Sequence, residues 1–376
     1  MKKIANFVID EKFIDWQIDF QDLTKDICQH DYYFVGDKNF RFIKNKERVK
    51  RIKESDVLDT IINYDAIFLH SLFGLPFNLI PKIDKSVKVF WFAWGYDIYN
   101  NPTPKPLVNI NLYHPLTKRY IRSDLKGLIF RFLMQTRDLI KKRGWNYYIR
   151  AINRVDFFSG IIPEEYDLVK QFYPTFSAQQ TDYSYCNVNH FSQIEKINDN
   201  ISHGEDIIIG NSTAYTNNHL DIFESLKNID VKYKKIFVPL SYSPNPRYVK
   251  KIEDKGMELF GNSFIALTDF LPIDKYNDVI NRCGICIYGM ERQQGMGGIY
   301  LNLCNGCKVF LYETSIIYKF CKKIGVKVFS IEKDLNKNNS LEPLSNEVAL
   351  NNRRIIFEKT SRDYMINKLN NIYNLI

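Results

Sequence analysis

Nowhere in its 376 residues does the chain approach the roughly 18 consecutive apolar residues that a membrane-spanning helix needs. Its opening, MKKIANFVID, loses its apolar run at Asp10, short of the longer apolar core and small-residue cleavage site of a secretory leader. Both absences point to an intracellular protein with reduced cysteines. There is no low-complexity tail and no repeat beyond an alternation of strands and helices. No Asp-x-Asp occurs, so a diphosphate held through a carboxylate-bound cation is not expected. The cysteine pairs Cys283/Cys286 and Cys304/Cys307 have zinc-like spacing, but one lies in an apolar strand and the other begins in a helical run. Zinc knuckles place both thiolates of a pair on a tight turn, so these residues are expected to be buried thiols and no metal site is assigned.

What is present is ordinary in bulk and uneven in detail. Hydrophobic residues make up 45% and charged residues 25%, which fits a globular protein long enough for two cores. The formal charge is +9, and residues 118–154 hold the whole excess, with eleven Lys or Arg against Asp124 and Asp138. Ile121, Leu125, Leu128, Phe132 and Leu139 fall near helical spacing within that run. A basic amphipathic helix of this kind suits the surface of an anionic bilayer; the plainer alternative is a core-packed helix with a solvated basic face. The segment lacks a nucleic-acid recognition motif, and no nucleic-acid partner is expected.

The second half reads as apolar strands alternating with helices. Strands are expected at 206–210, 235–242, 263–267, 284–289, 308–313 and 326–331, with helices at 218–229, 247–261, 273–283, 298–306 and 315–325. Continuous apolar strands in this alternation indicate a parallel, doubly wound sheet covered on both faces. The first half is less regular, with strands expected at 2–9, 31–36, 64–70, 87–95 and 155–160. The expected organisation is an N-terminal α/β domain over 1–175, a connection over 176–205, a C-terminal α/β domain over 206–340, and a helical segment over 341–376 packing back on the first domain.

In open α/β sheets ligands bind outside the carboxyl ends of the strands. The stretch YGMERQQGMGGIYLNLCNG, from Tyr288 to Gly306, lies at such an end. A helix beginning near Gly297 and Gly298 offers unpaired amides and the positive end of its dipole to a phosphate. Arg292 can neutralise diphosphate charge, and Gln293 and Gln294 can bond sugar hydroxyls or phosphate. Gly295 belongs to the same bare turn. Gly210, Asn211 and Ser212 follow the first strand of this domain, and Asn217 or Asn218 there can cap a helix. The loop 268–276, with Leu271, and Tyr242 after the preceding strand stand at the same edge and flank a base. At the other end of the chain, FWFAWGYDIYNNP closes a strand with Trp94, Gly95, Tyr96, Asp97 and Tyr99, an acid beside aromatics that suits a sugar hydroxyl. His70, which ends YDAIFLH, is a further candidate.

WFAWGYDIY, GNSTAYTNNH, VPLSYSPNPRYV, LFGNSFIALTDFLPIDKYNDVI and RQQGMGGIYLNLCNGCKVFL occur in this order. Together they resemble the glycosyltransferase family 56 proteins, the TDP-N-acetylfucosamine:lipid II N-acetylfucosaminyltransferases of enterobacterial common antigen synthesis. The resemblance spans roughly residues 60–335 and is most specific at RQQG and WG-x-D-x-Y. It implies the GT-B fold, two Rossmann-like domains facing across a cleft, with a nucleotide-sugar donor on the C-terminal one. It also implies a lipid-diphosphate-linked saccharide acceptor at the cytoplasmic face of the inner membrane. By motif match Asn211, Ser212, Arg292, Gln293, Gln294 and Gly295 fall on the donor side, and Trp94, Gly95 and Asp97 on the acceptor side.

The reaction expected is a metal-independent glycosyl transfer without a cofactor, with Asp97 as base or acceptor-orienting group, Glu291 as the alternative, and His70 as a weaker candidate. A UDP- or GDP-sugar transferase of another polysaccharide pathway, or a non-catalytic nucleotide-sugar-binding assembly protein, stands as the alternative.

Overall fold

The computed structural model describes residues 1–100, 105–124, 127, 129, 133, 136, 137, 144–183, 185, 201, 204–231, 234–242, 245–337 and 340–376. They form two compact units. The first comprises residues 1–110, 129–185 and 362–376, and the second 111–128 and 186–361.

The first unit is built on β1 (Lys2–Phe7), β2 (Cys28–Val35), β3 (Val49–Ile52), β4 (Ala66–His70), β5 (Lys88–Phe92), β6 (Phe157–Ser159) and β7 (Gln179–Gln180). They pair in parallel in the order β3-β2-β1-β4-β5-β6-β7. The chain leaves β1 in one direction across the sheet and returns to start β4 on the other side of it, so the order reverses between β1 and β4. Every residue of β4 is buried, as an apolar strand covered on both faces must be. One face of the sheet packs Ile4, Phe68, Phe90 and Phe92 against Met365, Leu369, Ile372 and Tyr373 of helix Arg362–Tyr373.

The second unit repeats the plan with β8 (Asp206–Ile209), β9 (Ile236–Pro239), β10 (Phe264–Leu267), β11 (Cys283–Tyr288), β12 (Lys308–Leu311) and β13 (Phe329–Ser330). Their order, β10-β9-β8-β11-β12-β13, is again parallel throughout and reverses between β8 and β11. Ile207, Ile209, Ile285, Ile287 and Phe310 meet Phe223, Tyr248 and Ile252 of two covering helices in one core. Two parallel, doubly wound sheets are what the strand pattern implied.

The division of the chain differs from the expected one in two places. Residues 111–128, expected in the N-terminal domain, belong to the second unit because side chains there claim them: Asp221 accepts the Leu116 and Thr117 amides, and Leu116 and Tyr120 pack on that unit's core. The run 341–376 also divides. Helix Asn346–Thr360 stays with the second unit, where Arg353 Nε donates to the Cys304 carbonyl at 2.6 Å, and only Arg362–Ile376 joins the first. Cys283, Cys286, Cys304 and Cys307 are buried thiols, and burial pushes Cys304 up to about 12.

Of the basic run 118–154, residues 125, 126, 128, 130–132, 134, 135 and 138–143 lie outside the described residues. The helices Pro115–Ser123 and Trp145–Ile152 are described at its two ends. Among the described residues no helix is long and apolar enough to cross a membrane.

Candidate functional site

The second unit gathers its polar residues where the strand order reverses. β8 ends at Ile209, and Gly210 turns the chain with φ +67°. A Cβ on Gly210 would lie 2.8 Å from Asn217 Oδ1 and 2.9 Å from His219 Nε2, so only glycine fits. β11 ends beside it, and the Gly210 amide donates to the Ile287 carbonyl at 3.0 Å. Two loops therefore leave the sheet side by side. Gln294, from the second loop, donates to Asn211 Oδ1 at 3.0 Å and reaches Ser212 Oγ at 3.4 Å. Thr216 Oγ1 donates to Gln294 Oε1 at 2.6 Å, and Asn217 holds the other loop by accepting the Asn211 amide and donating to the Ser212 carbonyl.

Gly295 follows in the left-handed region, φ +67°, as N-cap of helix Met296–Cys304. The helix thus starts two residues before the expected Gly298. Its first-turn amides, those of Met296, Gly297 and Gly298, have no intrahelical acceptor. A helix N-terminus beside neutral amides and a hydroxyl is an arrangement that takes an anion. Arg292 lies on the same loop, half-buried, with Nη1 donating to the Gln293 carbonyl at 3.1 Å, and Gln293 is buried. Tyr242 is exposed past the end of β9, and its carbonyl accepts from the Thr213 amide and hydroxyl. Leu271 is half-buried beside Phe270, which is 75% exposed, past the end of β10. The structure thus brings Gly210, Asn211, Ser212 and the Arg292–Gly298 stretch together, and sets Tyr242 and Leu271 on the neighbouring strands.

Glu291 sits at the root of this loop with only 6% exposure. Its Oε1 accepts from His114 Nε2 at 2.6 Å and from Thr314 Oγ1 at 2.8 Å. His114 was not singled out in the sequence, where 176 residues separate it from Glu291 and nothing local marks it. The only trace is positional: His114 precedes Pro115, the first residue of helix Pro115–Ser123, and N1 proline marks a helix start. Asn218 was visible only as a possible cap. It adopts the left-handed conformation, φ 50°, and its side chain accepts the His114 amide while donating to the Leu112 and Gly289 carbonyls.

In the first unit, Asp97 is wholly buried, with 0% exposure. Its Oδ1 accepts from Ser71 Oγ at 2.6 Å, and its Oδ2 from the Leu72 amide, Trp91 Nε1 and the Trp94 amide at 3.0 to 3.1 Å. Burial pushes its carboxyl up, opposed by those donors. An enclosed carboxylate with four donors orients its neighbours and offers no face to a substrate. One neighbour is Ser71, whose φ of +74° is outside the usual range for a residue with a side chain. Asp97 ties that strained turn, at the end of β4, to the turn after β5.

His70 is likewise enclosed. Asn6 Oδ1 accepts from its Nε2 at 3.0 Å, which leaves Nδ1 to accept from Tyr185 Oη at 2.7 Å. Burial pulls the imidazole down to about 3, so it stays neutral and serves the core as a hydrogen-bonding linker. Trp94 is half-buried, edge-on to Phe13 and Tyr185. Gly95 and Tyr99 are buried, and Tyr96 is 56% exposed with its ring 5.4 Å from Phe73. Of the acceptor-side residues expected from the sequence, Tyr96 is the one most open to a ligand.

Solved structures share this fold across nearly the whole chain. Anabaena HepE in complex with UDP superposes with a TM-score of 0.67 at 10% identity, covering 100% of both chains. A glycosyltransferase from Rickettsia africae gives 0.63 at 13% identity, covering 99% of this chain and 97% of its own. Sucrose-phosphate synthase from Thermosynechococcus elongatus gives 0.64 at 10%, covering 100% and 99%. These are GT-B proteins, and the likeness establishes that fold for the two units. Residues 133–369, more than half of the chain, match the sequence profile of the 4-alpha-L-fucosyltransferase family, glycosyl transferase group 56. The stretch contains the whole loop from Glu291 to Gly298 that carries the polar cluster, and the chain is therefore a member of the group 56 glycosyltransferases.

Proposed function

We propose that this glycosyltransferase moves a deoxy or acetamido sugar from a nucleoside-diphosphate donor, TDP-linked, to a polyprenyl-diphosphate-linked saccharide in surface polysaccharide synthesis. The observation that carries the reading is the junction of β8 and β11, where Asn211, Ser212 and Gln294 meet under the N-terminus of helix Met296–Cys304. Neutral donors and helix amides, with Arg292, stabilise the charge that grows on the leaving diphosphate without a metal ion. The absence of Asp-x-Asp from the sequence supports a metal-independent, cofactor-free transfer. Arg292, Gln293, Gly297 and Gly298 complete the donor contacts, with Tyr242 and Leu271 beside the base.

On the acceptor side, Tyr96 and Trp94 offer ring surface, and Asp97 acts through the turn it fixes. The lipid-linked acceptor places the work at the cytoplasmic face of the inner membrane. Ile129 and Leu133, 61% and 59% exposed within the basic run, together with Trp145, support a peripheral contact with an anionic surface. A UDP-linked donor is the second reading, favoured by the UDP held in the Anabaena structure.

The test is a thermal-shift titration with TDP, UDP and GDP. A ligand that binds only the folded state stabilises it by about 2.7 kcal/mol at a hundredfold excess over Kd. TDP raising the melting temperature above the other two supports the narrow reading, and UDP doing so transfers it to the second. If none of the three moves the melt, the donor site is wrongly placed.

A further inference from the structure

Both carboxylates put forward from the sequence stand behind other groups. Asp97 is sealed by four donors, and Glu291 is engaged by His114 and Thr314. The group that remains open is the imidazole that Glu291 holds: the His114 side chain is 23% exposed, against 7% for that of Glu291. Resting on the function proposed above, we infer that His114 is a further catalytic residue of the transfer, the base that takes the acceptor's proton.

His114 is fixed at its ring from two directions and at its backbone by a third contact. Tyr312 stacks on its face at 3.7 Å and 16°, Glu291 accepts from Nε2 at 2.6 Å, and Asn218 Oδ1 accepts its backbone amide at 2.9 Å. Asp221 anchors the next turn of backbone at Leu116 and Thr117. The titratable and charged groups around the ring are Glu291 and Tyr312, with Asp221 and Glu332 bearing on Tyr312. A carboxylate that accepts from Nε2 fixes the neutral tautomer with its proton there and leaves the Nδ1 lone pair as acceptor. Among the described residues the hydrogen bond of the ring runs through Nε2, to Glu291.

The same carboxylate stabilises the imidazolium formed when Nδ1 takes a proton, as in a carboxylate–histidine pair that activates a hydroxyl. Glu291 opens the loop that carries Arg292 and Gln294, so the ring stands at the edge of the donor cluster. In the step, the acceptor oxygen bonds to the donor's anomeric carbon. The bond from that carbon to the diphosphate oxygen breaks, and its electron pair leaves on the diphosphate. The hydroxyl proton passes to Nδ1 and then to solvent. Glu291 is the positioning residue, and the leaving diphosphate needs no proton.

The experiment uses the full chain with TDP- and UDP-linked sugars and a short-chain polyprenyl-diphosphate disaccharide, with nucleoside diphosphate release as the readout. His114→Gln keeps a donor for Glu291 in the place of Nε2 but cannot take a proton. It is expected to lose about 10²–10⁴-fold in turnover, with TDP and UDP affinity within about threefold of wild type, a ratio that distinguishes chemistry from binding. The acid limb of the wild-type pH–turnover profile is expected to vanish in this variant. Glu291→Gln is expected to lower turnover with nucleotide affinity likewise kept. Turnover within threefold of wild type in His114→Gln overturns the inference while leaving the proposed function standing. A variant that loses nucleotide affinity and melting temperature together marks His114 as scaffold and also overturns it. If wild type itself neither binds nor turns over these donors, the proposed function fails and the inference goes with it.

Discussion

Two glycines three residues apart make a sharp test of the donor loop. Gly295 has φ +67°, and a Cβ there would lie 2.4 Å from Asn211 Nδ2. In Gly295→Ala the left-handed backbone costs roughly 1–2 kcal/mol. The methyl also displaces Asn211, whose Oδ1 holds Gln294, and losing that hydrogen bond costs about 1 kcal/mol more. The sum is about 2–3 kcal/mol, concentrated where the two loops meet. At about 1.4 kcal/mol per factor of ten, the affinity for a nucleoside diphosphate should fall about 30-fold or more.

Gly298 is the contrast. Its φ is not in the left-handed region, and the nearest atom to an added Cβ is Tyr288 Oη at 3.8 Å, an ordinary contact. Gly298→Ala therefore adds up to about 1 kcal/mol of helix propensity. If a diphosphate approaches the amides of this turn, the added methyl obstructs it, and affinity falls while the melting temperature holds or rises. Calorimetric titration of TDP and UDP, with differential scanning fluorimetry on the same samples, reads both quantities. Gly295→Ala binding and melting like wild type would refute the account of the loop. Gly298→Ala binding like wild type would remove the helix N-terminus as the anion contact.

Two further outcomes follow from buried titratable groups. Asp97→Asn leaves at least one of the four donors without an acceptor inside the first unit, and is expected to cost about 2–4 kcal/mol. Urea unfolding checks this, and an unchanged midpoint would contradict the enclosure described for Asp97. His30, His70 and His219 are held down by burial to about 4, about 3 and about 3. A depressed histidine costs nothing above its unfolded pKa near 6.5, and stability is lost as pH falls from there towards the folded value, because the unfolded chain binds the extra proton. Between pH 7.5 and pH 5 each contributes a loss of about 2 kcal/mol, so the first unit, with two of them, loses about 4 kcal/mol and the second about 2 kcal/mol. A melting temperature flat over that range would sink this account.

The strands of the second unit were readable because each is an apolar run covered on both faces. Those expected at 206–210 and 284–289 appear as Asp206–Ile209 and Cys283–Tyr288. Helix 298–306 was displaced to Met296–Cys304 because the left-handed Gly295 lets the turn close earlier. In the first unit, β3 and β7 were missed. β3 is a four-residue edge strand with charged Lys50 and Arg51, and β7 is only Gln179–Gln180, so neither carries an apolar period. The two loops that meet where β8 and β11 end were legible because glycines and amides crowd a strand end. The burial of Asp97 and His70 was not, since an acid or imidazole at the end of a strand reads alike whether it faces solvent or four donors. His114 and Glu291 are brought together by the path of residues 111–118, which Asn218 and Asp221 determine and which no local pattern encodes.

The chain passes from one unit to the other at residues 110–111, 128–129, 185–186 and 361–362. No single cut therefore frees both units whole, and a cut at any of the four crossings divides the first. A fragment ending at 185 lacks Met365, Leu369, Ile372 and Tyr373, which finish the first unit's core, and a fragment beginning at 186 lacks the turn that bears His114. During synthesis the first unit's core lacks Met365, Leu369, Ile372 and Tyr373 until residues 362–376 have cleared the ribosome. The apolar surface those four would cover is then the one on which a chaperone would act.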